Sequence, residues 1–210
     1  MKKIEIPESF KRITVKELKS FDILQYYFGN KLTAWHGQTG QHPKYGKTTI
    51  APYHTNGVYD FGRLYNKTIL MDTELRNTGS LLENEYMTKK KTRIDVIRRI
   101  NLTVEDKAQL AKLIEEELGN EKLYGVLRFA SFAKRLSYVG WMFKWYKPSS
   151  SQVVCSGRWA KIYEKIQKPI SLYPYNETIP NDITVYALKG PEAKVFEIYT
   201  LKLPGEIITL

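Results

Sequence analysis

Apolar and polar positions change period along this chain, and the changes mark its elements. Residues 21–27 (FDILQYY) are apolar and aromatic with two polar interruptions, which predicts a strand. A stretch rich in Gly, His and Gln at 37–43 predicts a loop. Residues 54–61 (HTNGVYDF) and 68–75 (TILMDTEL) predict two more strands, and the segment between them, 62–67, has the length of a hairpin loop. Residues 93–100 (RIDVIRRI) predict another strand, with Ile94 and Val96 on one face and a basic edge.

From Thr103 the period lengthens. Leu110, Leu113, Ile114 and Leu118 recur at helical spacing. Thr103 is a candidate N-cap, Asp106 completes an acidic capping box, and Gly119 supplies a stop. Residues 124–147 are aromatic and basic and read as helical at first. A second helix is expected over 156–168, ended by Pro169, and a strand over 194–201. Strands on both sides of that helix predict one α+β domain over 1–210, with an aromatic and basic insertion at about 124–150.

Composition narrows the classes. With 42% hydrophobic and 26% charged residues, the 210-residue chain is neither wholly disordered nor collagen-like. One cysteine excludes a disulfide within the chain and a Cys-rich zinc site. No run of 18 apolar residues predicts a membrane span, and the N-terminus lacks an apolar run of signal-peptide length. The expectation is a cytoplasmic protein, or one associated with a virion or envelope. The formal charge of +11, from 33 Lys and Arg against 22 Asp and Glu, favours an anionic partner: nucleic acid, anionic lipid or a cell-wall polymer.

Three residue types suggest chemistry. Cys155 stands where an apolar run gives way to a helical one, and a helix N-terminus favours a thiolate. Buried cysteines also serve simply as small hydrophobes. His54 opens a predicted strand, where a neutral imidazole held at the strand end can take a thiol proton and return it to a leaving group, or else act as a structural hydrogen-bonder. Asp72 and Glu74, two apart on the next strand, share a face; either can orient an imidazole, or both can be a solvated edge.

The order of FDIL at 21–24, HTNGVY at 54–59, ILMDTE at 69–74 and a Cys opening a late helix resembles the circularly permuted papain-like cysteine hydrolases of NlpC type, the YiiX-like group. That group has a GDI strand, a strand of the form H-x-G-I-Y, an acidic strand, and a C-S-E-L nucleophile motif. Here Phe21 replaces the glycine, one extra residue separates His54 from Gly57, and Gly157-Arg158 replaces Glu-Leu. Leu123-Tyr124-Gly125 is similar to a G-x-x-Y-D turn, and residues 179–183 (IPNDI) to a T-P-x-D element; the likeness spans roughly 21–190. It implies a permuted papain-like fold, with an antiparallel sheet or small barrel packed on the Cys helix. It further implies a cysteine peptidase or amidase-type hydrolase acting on a peptide, isopeptide, amide or lipid acyl bond. Cys155 would be nucleophile, His54 base and acid, Asp72 or else Glu74 the orienting carboxylate, with no metal or organic cofactor.

The positive charge falls in two clusters. One comprises Lys89, Lys90, Lys91, Arg93, Arg98 and Arg99. The other, Lys134, Arg135, Lys144 and Lys147, is interleaved with seven aromatic residues over 129–146, a mixture that suits nucleic acid or an anionic interface and equally a solvated helix face. The rival to the hydrolase is therefore a non-catalytic basic protein of the same fold that binds nucleic acid or an anionic envelope surface.

Overall fold

A computed structural model of the chain describes residues 3–28, 47–60, 68–71, 79–80, 87, 89–118 and 155–208. Nine strands run in chain order: β1 (Lys3–Ile4), β2 (Lys11–Arg12), β3 (Ile23–Phe28), β4 (Lys47–Thr48), β5 (His54–Asp60), β6 (Thr68–Met71), β7 (Gly79–Ser80), β8 (Thr92–Arg99) and β9 (Phe196–Lys202). Three α-helices accompany them: α1 (Val104–Leu118), α2 (Cys155–Lys165) and α3 (Pro180–Lys189). The class is α+β, as the pattern predicts. The expected insertion at 124–150 lies outside the described residues.

Seven strands form one sheet in the order β2-β9-β8-β3-β5-β6-β7, and β1 pairs with β4 separately. All neighbours in the large sheet are antiparallel except β2 and β9, which are parallel. This sheet is mixed and open, which corrects the expectation of an antiparallel sheet or small barrel: β2 and β7 are edges and do not pair with each other. The predicted hairpin forms, with Gly57 opposite Met71 and Asp60 opposite Thr68.

Alternation along the central strands divides the core in two. Ile23, Gly57, Tyr59 and Ile97 point to the face covered by the helices, where Leu110, Ile114, Trp159, Tyr163 and Ile183 are buried. Leu24, Tyr26, Val58, Ile94 and Val96 point to the other face, under Ile13, Met87 and Leu201. The capping box at α1 is made as predicted: the Thr103 N–H donates to Asp106 Oδ2 at 3.0 Å, and the Asp106 N–H to Thr103 Oγ1 at 3.1 Å.

Two local expectations change. β8 is not a basic edge; it is a central strand between β9 and β3, and its arginines are spent inside the fold. Arg93 pairs with Asp95 at 2.8 Å, Arg98 with Asp22 at 2.6 Å and Arg99 with Glu192 at 2.8 Å. Helix α3 was not foreseen, although Pro180 at its first turn is a start signal. Its Asp182 Oδ2 accepts the Ile179 N–H at 2.9 Å, which completes the cap.

Phe21 has φ +76°, the left-handed region that glycine enters without cost and a bulky residue does not. Three hydrogen bonds hold it there. Its N–H donates to Val58 O at 2.7 Å, its carbonyl accepts from the Tyr163 hydroxyl at 2.9 Å, and the neighbouring Asp22 carbonyl accepts from the Val58 N–H at 2.8 Å. The GDI pattern that 21–23 resembles has glycine at this very position.

Candidate functional site

Helix α2 is seated on β5 through a single missing side chain. A Cβ on Gly57 would lie 1.7 Å from Trp159 Cζ2, so the indole fills the space that glycine leaves. One turn further along α2, Tyr163 reaches Phe21 O, and Phe21 is bonded to Val58; α2 therefore advances in the same direction as β5. One turn back from Trp159 is Cys155, on the same inward stripe and 4% exposed. Four helical residues cover about 6 Å, equivalent to about two residues of strand. Two residues back from Gly57 on the same face is Thr55. By this spacing the start of α2 falls at the level of Thr55 on the same face of β5.

His54 lies on the opposite face. It is the cross-strand partner of Tyr26, its ring centroid is 5.6 Å from that of Tyr26 and 6.1 Å from that of Tyr53, and it is 1% exposed in the second core. The physical reason is parity: two residues from glycine keeps a side chain on glycine's face, and three turns it to the other. The extra residue between His54 and Gly57 therefore exchanges the imidazole for Thr55 beneath α2. The structure does not bring Cys155 and His54 together on one face. Asp72 and Glu74, the two expected orienting carboxylates, lie outside the described residues, as do His36, His42 and the segment 124–147.

At this end the helix-covered face carries a polar row that sequence reasoning missed. Thr55, Gln25, Asp95 and Thr200 are successive cross-strand partners on β5, β3, β8 and β9, and each is at most 1% exposed. The Thr55 hydroxyl donates to Gln25 Oε1 at 3.0 Å and the Thr200 hydroxyl to Asp95 Oδ1 at 2.9 Å. Gln25 Nε2 is buried and has no hydrogen-bond partner among the described residues. Burial holds the Asp95 carboxyl above its ordinary range, against the opposing pull of the Arg93 guanidinium, whose Nε donates to Asp95 Oδ1 at 3.0 Å, and of the Thr200 hydroxyl. Burial also raises the Tyr27 phenol, with the Asp95 charge adding to it. The next rung towards Phe21 is apolar, Gly57–Ile23–Ile97–Ile198, so the helix-covered face is half greasy and half polar.

The residues following the cysteine serve the fold. Ser156 Oγ donates to Thr178 O at 2.8 Å, tying α2 to the lead-in of α3. Arg158, 1% exposed, approaches Glu117 of α1 at 3.9 Å, and Lys161 meets the same carboxylate at 2.9 Å. Arg158, which departs from the C-S-E-L motif, thus belongs to a buried ionic link between α1 and α2.

Chemically, the described face offers a thiol, hydroxyls, an amide and one carboxylate already engaged by Arg93 and Thr200. Among the described residues no group of three His, Cys, Asp or Glu could hold a metal ion, and no helix is long and apolar enough to cross a membrane.

No family model matches the chain, and no curated protein matches it. Among solved structures it is similar to a metalloprotein, YiiX of Escherichia coli O157:H7, at 15% identity and a TM-score of 0.45, with 89% of each chain covered.

Proposed function

We propose that this protein is a non-catalytic basic binding protein whose partner is an anionic polymer or surface, and that Cys155 is a buried packing residue within it. The observation that carries the reading is the placement of His54 on the sheet face away from α2, with Thr55 in its stead. Threonine neither takes a proton from a thiol near neutral pH nor returns one to a leaving group. The formal charge of +11 supports an anionic partner. The test is binding to single-stranded oligonucleotide and to anionic lipid vesicles across a salt series. The expected result is affinity for one of them that falls steeply with salt and survives Cys155→Ala. Salt-insensitive binding, or none to either, removes the proposal.

The hydrolase reading keeps one observation in its favour: Cys155 is the first residue of α2, which packs on the sheet face whose polar row holds an amide nitrogen without a described partner. In that reading the Cys155 sulfur attacks an amide or acyl carbonyl, the scissile bond breaks and the amine or alcohol leaves carrying the thiol proton; water then hydrolyses the thioester to a carboxylic acid and restores the thiol. An electrophilic thiol probe separates the two. Rapid labelling of Cys155 that is lost in His54→Ala supports the hydrolase, and slow labelling indifferent to that change supports the binding protein.

A further inference from the structure

At the end of the sheet remote from Cys155, a cavity of about 420 Å³ opens between the turn before β3, the end of β8 and the first turn of α1. Its floor is an ion pair of fixed geometry. The Asp22 carboxylate accepts from Arg98 Nε at 2.7 Å and from its terminal nitrogen at 2.6 Å, and it also accepts the Lys19 N–H at 2.9 Å. Arg98 donates again to Glu17 O at 2.8 Å and lies 5.1 Å over the Tyr199 ring. Held by Asp22, Glu17 and the Tyr199 ring, the guanidinium gives the cavity a rigid floor, its charge already matched by Asp22.

Above that floor the lining is unbalanced. Lys19, Arg98, Arg99 and Lys107 face Asp22 and Glu197. Asp22 is matched by Arg98 and Arg99 by Glu192, which leaves Lys19 and Lys107 against the single carboxylate of Glu197, itself accepting from the Tyr199 hydroxyl. Lys19 and Lys107 are exposed and form no ion pair with a described residue. Beside them the wall is apolar, with Ile100 53% exposed next to Leu102 and Phe21. Phe21 is the one described residue of this wall held in the left-handed region, and strain of that kind gathers at ligand-binding positions.

We propose that this cavity binds a small organic oxyanion, a carboxylate or phosphate ester carrying an apolar body. The anionic head lies between Lys19 and Lys107 with Arg98 behind it, and the body rests on Ile100 and Leu102. The site is independent of Cys155 and of the polymer-binding reading. Titration calorimetry of the full chain at low salt with phenyl phosphate, benzoate and inorganic phosphate tests it. One aromatic anion is expected to saturate a single site, with inorganic phosphate at least tenfold weaker. Tighter phenyl phosphate assigns a phosphate head, and tighter benzoate a carboxylate. The Lys19→Gln/Lys107→Gln double variant, whose side chains are exposed, is expected to melt like the parent and to bind at least tenfold more weakly. Absence of saturable binding by either aromatic anion up to about 10 mM overturns the proposal. So does undiminished affinity in the double variant, or inorganic phosphate binding as tightly as its ester.

Discussion

Replacing Gly57 by alanine puts the seating of α2 to the test. The added methyl would stand 1.7, 2.0 and 2.2 Å from three indole carbons of Trp159, where ordinary contact is 3.4–4 Å, so the ring must withdraw by about 2 Å. It has nowhere to go: Trp159 is fully buried among Ile23, Ile97, Tyr163 and their neighbours. Either α2 lifts off the sheet, opening a gap along Cys155, Ile162 and Tyr163, or the indole leaves its site. Overpacking a core costs about 1–3 kcal/mol and losing a buried tryptophan about 3–5 kcal/mol, so a loss of about 3–5 kcal/mol is expected. That is a large share of the roughly 5–15 kcal/mol available to a folded domain, and it lowers the melting temperature by about 6–20 °C. Urea titration followed by far-ultraviolet circular dichroism measures it. Because the clash has one partner, Trp159→Ala should absorb most of the penalty, giving a coupling of about 2–3 kcal/mol in the double-mutant cycle. A cost below about 1 kcal/mol for Gly57→Ala, or an additive double mutant, would refute the placement of Gly57 under α2, and with it the assignment of Thr55 to the thiol's face.

Four further outcomes follow from the structure. Thr55→His places an imidazole beneath Cys155 and should speed alkylation of the thiol at pH 5.5 by about tenfold, the net of more thiolate and lower nucleophilicity; an unchanged pH–rate profile would show that Thr55 does not face Cys155. At Phe21, where φ is +76°, glycine should be more stable than alanine by about 1 kcal/mol, the reverse of the usual order. Equal urea midpoints for Phe21→Gly and Phe21→Ala would remove the strain argument. Thr103→Ala should cost about 1 kcal/mol as a lost N-cap. The Thr103 N–H holds the Asp106 carboxyl below its ordinary range. A carboxyl so lowered stabilises the fold above its unfolded pKa of about 3.9, and that contribution is lost as pH falls through the folded value. The stability gap between parent and Asp106→Asn should therefore be widest near neutral pH and close in acid; a gap that is constant between pH 7 and 3 contradicts the cap.

The fold was legible where period and caps agreed. β5, α1 and α2 come close to the spans that periodicity predicts, and Asp106 caps α1 for the reason that sequence rules give. Pro169 does not itself end α2: the helix stops at Lys165, where Gln167 turns left-handed with φ +57° and the Lys168 N–H donates to Tyr163 O at 3.0 Å. Short pairs such as β2 and β7 carry no pattern of their own, because two residues cannot show a period and their pairing is decided by distant neighbours. The basic edge was misread because single-strand patterning cannot see cross-strand or distant carboxylates: Arg98 meets Asp22, and Arg99 meets Glu192. His54 is the instructive residue. Its place at the head of a strand with a glycine further on matched a motif, yet the three-residue spacing to Gly57 already placed the two on opposite faces of any strand. The polar row was less visible, since Thr55, Gln25, Asp95 and Thr200 come from four separated strands and are united only by register.

The positive charge therefore splits into two populations with different duties. Arg93, Arg98, Arg99 and Arg158 lie within or beside the core, each against a carboxylate, and their removal would leave Asp95, Asp22, Glu192 or Glu117 short of a counter-charge. Arginine suits this work because its planar fork holds several acceptors at once, as Arg99 does with Asn101 Oδ1, Pro169 O and Glu192. Lys19, Lys90, Lys91 and Lys107 are exposed and form no ion pair with another described residue; the carbonyls of Lys89 and Lys90 are bound inward, accepting from the buried ammonium of Lys202 at 2.6 Å and from the Gly205 N–H at 2.6 Å. An anion reaching the described surface thus meets lysine first and at low cost, since nothing internal must be broken. Substituting surface lysines should weaken anion binding while leaving the fold intact, whereas substituting the arginines should unfold the protein before it reveals anything about binding.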